Sequence, residues 1–538
     1  MIYSYHSLNK SDSFITNEKK IKQMKKLFLF IIILSGLSIF SACKKDFLQK
    51  DPLAQLQKET FWKTQNDADL ALAGCYNFLC RGNNATSVSN AGAGFGGGYM
   101  FWETLTDNGY TISSGGNFST VSTGNIEATM TGIVSDAYKY SYQAIATCNL
   151  FLVRIGDIQL TPTLRNQYIG EVKFIRAYHY FLLSQLYGDC VLTLKPLSFD
   201  QASITIPRSP KSLVVDSILA DLDYAATNLP NTNYNGHAVR GTALAYKAKV
   251  LLANGQYQKA ADAAKLVMTE NKFKLADTYS SLFLKPGQNN NPEIMFSARY
   301  SPPSFYSPQD WLFSYLNNVN VLKYLVDDYE CIDGLPIQSS PLFSSTTPYA
   351  NRDPRLKMSI IVPGDWRGTT SVTAFDPKAA AVPSGFLPRK GIDPNRFPTT
   401  YATQSDQDWV LMRYADVLLM YAEAQNEVGG PDGTVYAAIN AVRTRPDVAM
   451  PSIPAGLSAA DMRTRIRHER RIEFAMEGQR FFDLKRWRFD RTIIPTIKDP
   501  NNAYRSFPLR DTIWPVPQSE IEVAKSVGNT GFKQNPGY

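Results

Sequence analysis

Histidine is scarce in this chain, which contains only four among 538 residues. They are His6, His179, His237 and His468, and none lies in an HExxH motif or a comparable metal-ligand pattern. A zinc site or a Ser/His/Asp triad is therefore not expected, and we predict neither a metal ion nor a cofactor. GxSxG, Walker A and Rossmann patterns are also missing. The sequence thus offers no recognisable catalytic machinery.

Cysteine is also rare, and the six cysteines form no CxxC pair. The segment before Cys43 indicates a separate role for this residue, described below. The five remaining cysteines are an odd number and cannot all form disulfides with one another. Cys75 and Cys80 are close enough in sequence to pair. Buried free thiols are nevertheless the expectation for most of this set. Its members are Cys75, Cys80, Cys148, Cys190 and Cys331.

Positive charge is modest once the amino terminus is set aside. The formal net charge is +8, but residues 1–42 hold six lysines against Asp12 and Glu18, so half of that charge lies there. The remainder is not the signature of a nucleic-acid-binding protein. Aromatic residues make up 12% of the chain, and such an excess indicates rings at a binding surface as well as in the core.

The amino terminus has the form of a secretory signal. Several lysines precede an apolar run over residues 27–40, which is too short for a comfortable membrane span. Ser41, Ala42 and Cys43 follow, an order that resembles a bacterial lipoprotein signal. That resemblance implies removal of residues 1–42 and lipidation of Cys43. Met24 begins a more usual signal peptide than Met1, which leaves open whether residues 1–23 are translated.

The residues directly after Cys43 predict the location of the protein. Lys44, Lys45 and Asp46 form a charged collar that resembles the export tag of surface-exposed lipoproteins in glycan-scavenging Gram-negative bacteria. We therefore expect a lipid-anchored protein in the outer membrane that faces the cell exterior. An uncleaved anchor helix is the alternative.

Helical periodicity recurs along the mature chain. Apolar residues follow 3, 4, 3, 4 spacing over 172–186 and again over 243–257. The second stretch is broken by an Asn254–Gly255 turn and resembles a tetratricopeptide pair, whose alanines let two helices approach closely. Residues 411–425 and 435–443 indicate another pair. We expect a mainly α fold of tetratricopeptide-like helix pairs, with a large loop-rich face that carries short strands.

Two long stretches without a sustained helical period interrupt these helices. Residues 82–124 are rich in Gly, Ser, Asn and Thr, and residues 289–408 contain many Pro, Gly, Ser and Thr. Both interleave aromatic rings with polar residues. We predict a helical region over 43–288 that includes the ring-rich loop 82–124. A second region over 289–538 then comprises the loop-rich insertion 289–408 and helices over 409–487.

Residues 462–487, the hub segment, are too charged for an ordinary core and too apolar for an ordinary surface. If the segment is one helix, its glutamates recur at i, i+4 spacing. Like charges at this spacing repel each other unless nearby cationic side chains pair with them. Nucleic-acid binding, acid/base chemistry and a buried ion network are the possible interpretations. Alternating signs with aromatics between them favour the network. Its predicted members are Arg413, Glu469, Arg470, Glu473, Glu477 and Arg480, and Glu477→Ala is expected to lower stability rather than ligand affinity.

Six blocks of residues are spread in order over nearly all of the mature chain. They are Glu171, Phe174, Arg176 and Ala177 with Tyr187, Gly188 and Asp189; Asn291, Glu293, Ile294 and Phe296; Arg352, Asp353, Pro354, Arg355 and Leu356; Arg413, Asp416, Tyr421, Ala422, Glu423 and Ala424; Arg470, Arg471, Glu473, Glu477, Gly478, Arg480, Asp483, Leu484 and Trp487; and a terminal Gln-Asn-Pro-Gly-Tyr. Together with the lipoprotein signal, this ordered set resembles the SusD/RagB family.

The resemblance implies a function without chemistry. Members of this family are surface lipoproteins that bind a nutrient, usually a glycan, and lid a SusC-like TonB-dependent transporter. Some take peptides or protein-derived ligands instead. One rival interpretation is a secreted glycoside hydrolase, which needs two carboxylates across a sugar cleft, and Glu103 and Asp107 are its candidates. The other is a structural or adhesive surface protein that holds a partner without capturing nutrient.

A glycan binder needs flat rings against the sugar faces and amide or carboxylate groups for the hydroxyls. The two ring-rich loops supply both. Packing in the core or contact with a transporter is an equally good explanation for each ring, and Trp366 is a further, weaker candidate. The residues that we select by region are Tyr99, Trp102, Asn108, Tyr300, Tyr306 and Trp311.

Overall fold

The computed structural model describes residues 61–80, 99–197, 206–303, 305–400 and 402–538. The signal-like segment, Cys43 and the first part of the loop 82–124 lie outside the described residues. The chain divides into two units, Met1–Lys63 and Thr64–Tyr538, and the helices and strands described below belong to the second. None of the described helices combines the length and apolar composition needed to cross a membrane.

Helices dominate the described residues, as the periodicity predicts. In chain order they are α1 Gln65–Asn77, α2 Phe118–Ser122, α3 Ile133–Arg154, α4 Pro162–Tyr187, α5 Lys211–Asn228, α6 Arg240–Ala253, α7 Tyr257–Glu270, α8 Lys323–Asp328, α9 Arg355–Ser359, α10 Tyr414–Gly429, α11 Gly433–Arg443, α12 Ala459–Glu473, α13 Arg480–Trp487, α14 Asp490–Ile493 and α15 Gln518–Ser526.

The longer helices form one continuous stack. Helix α3 packs on α4, α4 on α5, α5 on α6 and α6 on α7. Helix α7 then packs against α10, which in turn contacts α11 and α12. The predicted tetratricopeptide-like pairs are α6 with α7 and α10 with α11, so this prediction is confirmed. Although a long insertion separates the pairs in sequence, the second stacks directly on the first in space.

Short strands tie the insertion to this stack. They are β1 Gly109–Thr111, β2 Ile294–Ala298, β3 Val319–Val321, β4 Ile360–Ile361, β5 Leu387–Pro388 and β6 Trp409–Arg413. Each belongs to a two-stranded antiparallel sheet, β1 with β3, β2 with β6 and β4 with β5. In the fully buried β2–β6 ladder, Ile294 lies opposite Arg413.

Two boundaries differ from the prediction. The helix expected from residue 409 begins at Tyr414, because the preceding Trp-Val-Leu-Met run pairs as β6. The hub segment is two helices, since α12 ends at Glu473 and α13 begins at Arg480. Met476 and Gly478 between them have left-handed φ angles of 63° and 78°. A Cβ on Gly478 would also collide with the carbonyl oxygen of Tyr99, so both conformation and space require glycine there.

The described part of the ring-rich loop 82–124 is folded around its aromatic side chains. Residues Tyr99–Leu105 form a 3₁₀ helix that is almost entirely buried. The Trp102 ring stacks on that of Trp514, with centroids 5.8 Å apart. Phe101 stacks on Phe118 at 5.2 Å. Much of the aromatic excess therefore lies in the core.

Candidate functional site

Arginine is unusually prominent among the largest fully buried side chains of the described residues. Arg355, Arg413, Arg445 and Arg470 all belong to this group. An isolated buried charge costs several kcal/mol, so each guanidinium must meet a carboxylate. The hub segment supplies several of these carboxylates.

Glu473, at the end of α12, is bound by three guanidinium groups. Its Oε1 accepts from Arg413 Nη1 at 2.6 Å and from Arg445 Nη2 at 3.0 Å. Its Oε2 accepts from Arg355 Nη1 at 2.8 Å. Burial alone would raise the pKa of this carboxyl, but the attraction of the three cations outweighs it and holds the pKa well below its usual range.

Two other hub glutamates join the same cluster, which we call the arginine network. Glu469 accepts from Arg355 Nη1 at 2.6 Å and from Arg443 Nη1 at 2.8 Å. Glu477 lies beyond the end of α12 and accepts from Arg413 Nη2 at 2.8 Å. The arginine network comprises Glu293, Arg355, Lys390, Arg413, Arg443, Arg445, Glu469, Glu473 and Glu477.

Two residues predicted to belong to this network pair elsewhere. Arg470 donates to Asp416 at 2.8 Å and to Asp483 at 3.0 Å. Arg480 binds Asp107, with Nε 2.9 Å from Oδ1. Arg470 lies on α12 itself and faces Asp416 and Asp483 rather than Glu473. Arg480 follows the turn at Met476 and Gly478, which places it beside Asp107.

Several network members were not predicted. Arg355 belongs to one of the ordered sequence blocks, but nothing in that block indicates a contact with the hub segment. Arg443 and Arg445 end and follow α11, where cations commonly face a helix carboxyl terminus. Lys390 lies within the loop-rich insertion. All four contacts join segments far apart in sequence, which local pattern does not reveal.

The two carboxylates considered for hydrolysis are enclosed by protein groups. Glu103 accepts from Asn108 Nδ2 at 2.7 Å and from the Gly478 N–H at 2.6 Å. Burial raises its pKa to about 7. Burial would also raise the pKa of Asp107, but Arg471 and Arg480 lower it to about 2. Both carboxylates therefore act as internal bridges in this structure.

The predicted ligand residues are spread between core and surface. Trp102, Trp311 and Asn108 are buried, and Asn108 is held between Glu103 and Arg471. Tyr300 is also buried and stacks on Phe305 at 5.5 Å. Tyr306 is half-buried. Tyr99 is half-buried, stacks on Trp409 at 5.8 Å and lines an internal cavity together with Trp102. The buried members offer no ring face to the exterior, so they do not form a common ligand surface.

Trp366, the weaker candidate, is the most exposed tryptophan of the described residues, with 56% of its surface accessible. It borders an open cleft of about 680 Å³, the Trp366 cleft. That volume falls within the range of small-ligand sites. The cleft is lined by Ser280, Phe283, Leu284, Lys357, Met358, Ile361, Gly364, Asp365, Trp366, Arg367, Arg389, Lys390, Gly391, Ile392 and Pro394.

A tight turn presents Trp366 to solvent. The chain leaves β4 and turns at Gly364, whose φ is 89°. The Asp365 N–H donates to the Val362 carbonyl oxygen at 3.0 Å. Arg389 fixes the next residue, because its Nη1 donates to the Trp366 carbonyl oxygen at 3.2 Å. The backbone of Trp366 is thus held while its indole stands in the cleft.

Charged groups surround the indole. The Asp365 carboxylate accepts from Arg389 Nη2 at 2.9 Å and lies 3.2 Å from Lys357 Nζ. The Arg389 side chain is partly exposed, and Lys357 is largely exposed. The cleft therefore combines an exposed aromatic face with a carboxylate and hydrogen-bond donors, the groups that a sugar ring requires.

Neighbouring residues attach the cleft to the arginine network. Arg389 holds the Trp366 turn, whereas the next residue, Lys390, extends its Nζ to Glu477 Oε1 at 2.8 Å and to the Tyr279 hydroxyl at 2.5 Å. Burial lowers the pKa of Lys390 to about 8, against the opposing attraction of Glu477. The position of the cleft thus depends on the hub segment.

No group of three or more His, Cys, Asp or Glu side chains within the described ranges is arranged to hold a metal ion. The five cysteines of the second unit are buried free thiols. Cys75 and Cys80, which sequence spacing allowed to pair, are both unpaired.

The fold and the cleft define a helical scaffold of stacked tetratricopeptide-like pairs with a loop-built face. Residues 281–538 match the family model described as "SusD family", and residues 100–252 match the one described as "Starch-binding associating with outer membrane". The chain belongs to the SusD/RagB family.

Individual relatives agree along most of the chain. SusD-like protein P2 of Formosa agariphila is 26% identical, over 96% of this chain and 100% of that protein. SusD-like protein P38 of the same organism is 25% identical, over 87% and 92%. A SusD-like carbohydrate binding protein of Bacteroides fragilis, solved by crystallography, is 25% identical with a TM-score of 0.76, covering 86% of this chain and 99% of that one.

Replacing Glu473 by glutamine tests the arginine network. Three buried guanidinium groups would lose their shared charge, so we expect Glu473→Gln to lower the free energy of unfolding by roughly 3–5 kcal/mol. Urea unfolding followed by circular dichroism measures this change. Glu427→Gln is the matched control, because Glu427 pairs with the partly exposed Arg463 and should cost less than about 1 kcal/mol. Equal losses in the two variants would contradict a special role for Glu473.

The raised pKa of Glu103 predicts a pH dependence of stability. Because the folded pKa of about 7 exceeds the ordinary value of 4.5, the folded state binds a proton more tightly than the unfolded state between these values. Stability from this group is therefore lost as the pH rises through that window, by up to about 3 kcal/mol.

The measurement compares urea unfolding of the wild type and of Glu103→Gln at pH 5 and pH 8. The wild type should lose more stability than the variant over this interval, since glutamine does not titrate. Glu127→Gln, at an exposed position, should retain the wild-type slope. A parallel response of wild type and Glu103→Gln would contradict the assignment.

Proposed function

We propose that this protein is a surface-exposed lipoprotein that captures a glycan or oligosaccharide at the Trp366 cleft. The observation that carries the proposal is the exposed Trp366 indole, held by its backbone beside Asp365 and Arg389 in an open cleft. The sequence-based selection gave Trp366 only as a weaker candidate. Its preferred residues were Tyr99, Trp102, Asn108, Tyr300, Tyr306 and Trp311.

The chemistry of sugars fits this arrangement. A pyranose presents weakly apolar C–H faces and a rim of hydroxyls, so its face can stack on an indole while its hydroxyls reach charged groups. Asp365 accepts hydrogen bonds, and Lys357 and Arg389 donate them. Hydrogen bonds that involve charged partners are stronger than neutral ones. The cleft thus supplies a ring face, a hydrogen-bond acceptor and hydrogen-bond donors. Asp365 is the one carboxylate residue in its lining, so the lining holds no pair of carboxylates for hydrolysis.

The relatives support the ligand class. One family model carries the description "Starch-binding associating with outer membrane", and the Bacteroides fragilis relative is called a carbohydrate binding protein. The lipoprotein-like signal before Cys43 supports a lipid anchor in the outer membrane. Family membership supports transfer of the captured ligand to a SusC-like TonB-dependent transporter, and a binding role rather than an enzymatic one.

Replacing Trp366 by alanine tests the capture site. Loss of the stacking surface should weaken glycan binding at least tenfold, because a central aromatic contact is commonly worth more than about 1.4 kcal/mol. Isothermal titration against a panel of oligosaccharides measures the affinity, and the melting temperature should change little since the indole is exposed. Tyr504→Ala is the matched control, because Tyr504 is exposed but lies outside the lining of the cleft.

Other outcomes separate the rival functions. Release of hydrolysis products from the panel would favour a glycoside hydrolase. Binding of peptides but of no glycan would change the ligand class. Absence of any ligand together with tight binding to a transporter would favour a scaffold. Unchanged glycan affinity in Trp366→Ala would show that the Trp366 cleft is not the glycan-binding site.

A further inference from the structure

The Trp366 cleft carries more positive than negative charge. Among the described residues of its lining, four are cationic and Asp365 alone is acidic. One of the four cations, Lys390, is buried and neutralised by Glu477, with Nζ 2.8 Å from Oε1. The charge of the cleft therefore depends on how the other three are paired. These three are partly or largely exposed, and they are Lys357, Arg367 and Arg389.

A single carboxylate serves two of these cations. Asp365 Oδ1 lies 3.2 Å from Lys357 Nζ, and Asp365 Oδ2 accepts from Arg389 Nη2 at 2.9 Å. One negative charge therefore faces two positive charges. The Lys357 side chain is 56% exposed, and ion pairs at exposed positions are weak. Its ammonium group can therefore turn to another anion at little cost.

The third cation has no carboxylate partner within the described residues. Arg367 Nη2 donates to the carbonyl oxygen of Ser314, and to Asn317 Oδ1 at 2.9 Å. Its guanidinium carbon lies 5.1 Å from the centre of the Phe397 ring. These partners orient the guanidinium but carry no charge. Burial lowers the pKa of Arg367, which is the direction expected where no carboxylate opposes desolvation.

The carboxylates beyond one wall of the cleft are gathered around a different arginine. Asp393 precedes the lining residue Pro394, and its carboxylate lies 3.2 Å from Arg396 Nε. Asp310 and Asp406 pair with the same guanidinium. None of these three carboxylates belongs to the lining of the cleft. Excess positive charge therefore remains on the surface that a ligand would touch.

This excess selects among sugars. A cleft lined by charge of one sign attracts ligands of the opposite sign. The guanidinium fork matches the oxygens of an oxyanion, and hydrogen bonds between charged partners are stronger than neutral ones. A sugar with an acidic substituent can stack its ring on the Trp366 indole and direct that substituent to the neighbouring Arg367. A neutral sugar would leave the excess cations without a counter-ion.

We infer that the glycan captured at the Trp366 cleft is acidic and carries a uronate carboxylate or a sulfate ester. The acidic group binds Lys357 and Arg367, while Asp365 and Arg389 hold the turn beneath the indole. This inference rests on the proposed function, because it names the class of glycan that the same cleft captures.

Isothermal titration with matched acidic and neutral probes tests the inference. Trigalacturonate and its methyl ester share one backbone and differ in charge, as do a sulfated galactan oligosaccharide and its desulfated form. At least one acidic probe should bind about tenfold more tightly than its neutral counterpart. Raising NaCl from about 0.05 M to about 0.5 M should remove most of this preference, because salt screens exposed charges. The acidic probe that binds identifies the group as carboxylate or sulfate.

Two variants that remove charge locate the preference. Lys357→Gln and Arg367→Gln should each weaken binding of the acidic probe by at least about threefold and leave binding of the neutral probe unchanged. Lys259→Gln is the matched control, because Lys259 is an exposed lysine on α7 outside the lining, and it should change neither affinity. Melting temperatures establish that each variant is folded. If Arg367→Gln does not fold, the exposed Lys357 still provides the test.

Two results would overturn the inference. They are equal affinity for acidic and neutral probes, and acidic-probe binding that no folded charge variant weakens. If Trp366→Ala still weakens glycan binding in either case, the proposed capture function stands and only the acidic class is wrong. Absence of binding to every glycan probe would instead contradict the inference and the proposed function together.

Discussion

The structure depends on the burial of Glu473 between three guanidinium groups. This carboxylate contacts Arg355 of α9, Arg413 of β6 and Arg445 after α11. Removing any one partner leaves the others charged in a low-dielectric interior, where the cost of an unpaired charge is several kcal/mol. The cluster is therefore an all-or-none arrangement that fixes four distant segments of the chain relative to one another.

This constraint explains how a loop-rich insertion stays ordered on a helical stack. The insertion lies between α7 and β6, and its strands β2–β5 and helices α8 and α9 are all short. Arg355 and Lys390 lie within it, and each reaches a hub glutamate. Since Arg389 holds the Trp366 turn while Lys390 binds Glu477, the same network that closes the core sets the position of the proposed ligand surface.

Sequence reasoning predicted the helical scaffold well because its signals are local. The 3, 4, 3, 4 spacing around Tyr246 and the Asn254–Gly255 turn specify a helix pair by themselves. The ligand rings selected by region remain a prediction, because the exposure of a ring is a tertiary property that local pattern does not reveal. Trp102 follows Met100 and Phe101, and Trp311 precedes Leu312 and Phe313, so both rings belong to apolar runs that pack inward.

The residues beside Trp366 predict that its ring is exposed, and a selection of rings by region alone does not use that information. Its Pro-Gly-Asp-Trp-Arg-Gly run combines turn residues with charge, which predicts a ring on an exposed turn. The ion pairs could not be predicted in the same way. Glu473 meets Arg355 rather than Arg470 of its own helix, and that choice depends on how distant segments pack against α12.

A double-mutant cycle between Arg413 and Glu473 measures how strongly these two residues depend on each other. We expect Arg413→Met and Glu473→Gln to be coupled by at least about 2 kcal/mol in the free energy of unfolding, because each variant alone leaves the partner's charge buried and uncompensated. We expect no coupling in glycan affinity among the folded variants. Additive losses of stability, within about 0.5 kcal/mol, would contradict the role of the arginine network as the constraint that holds this fold together.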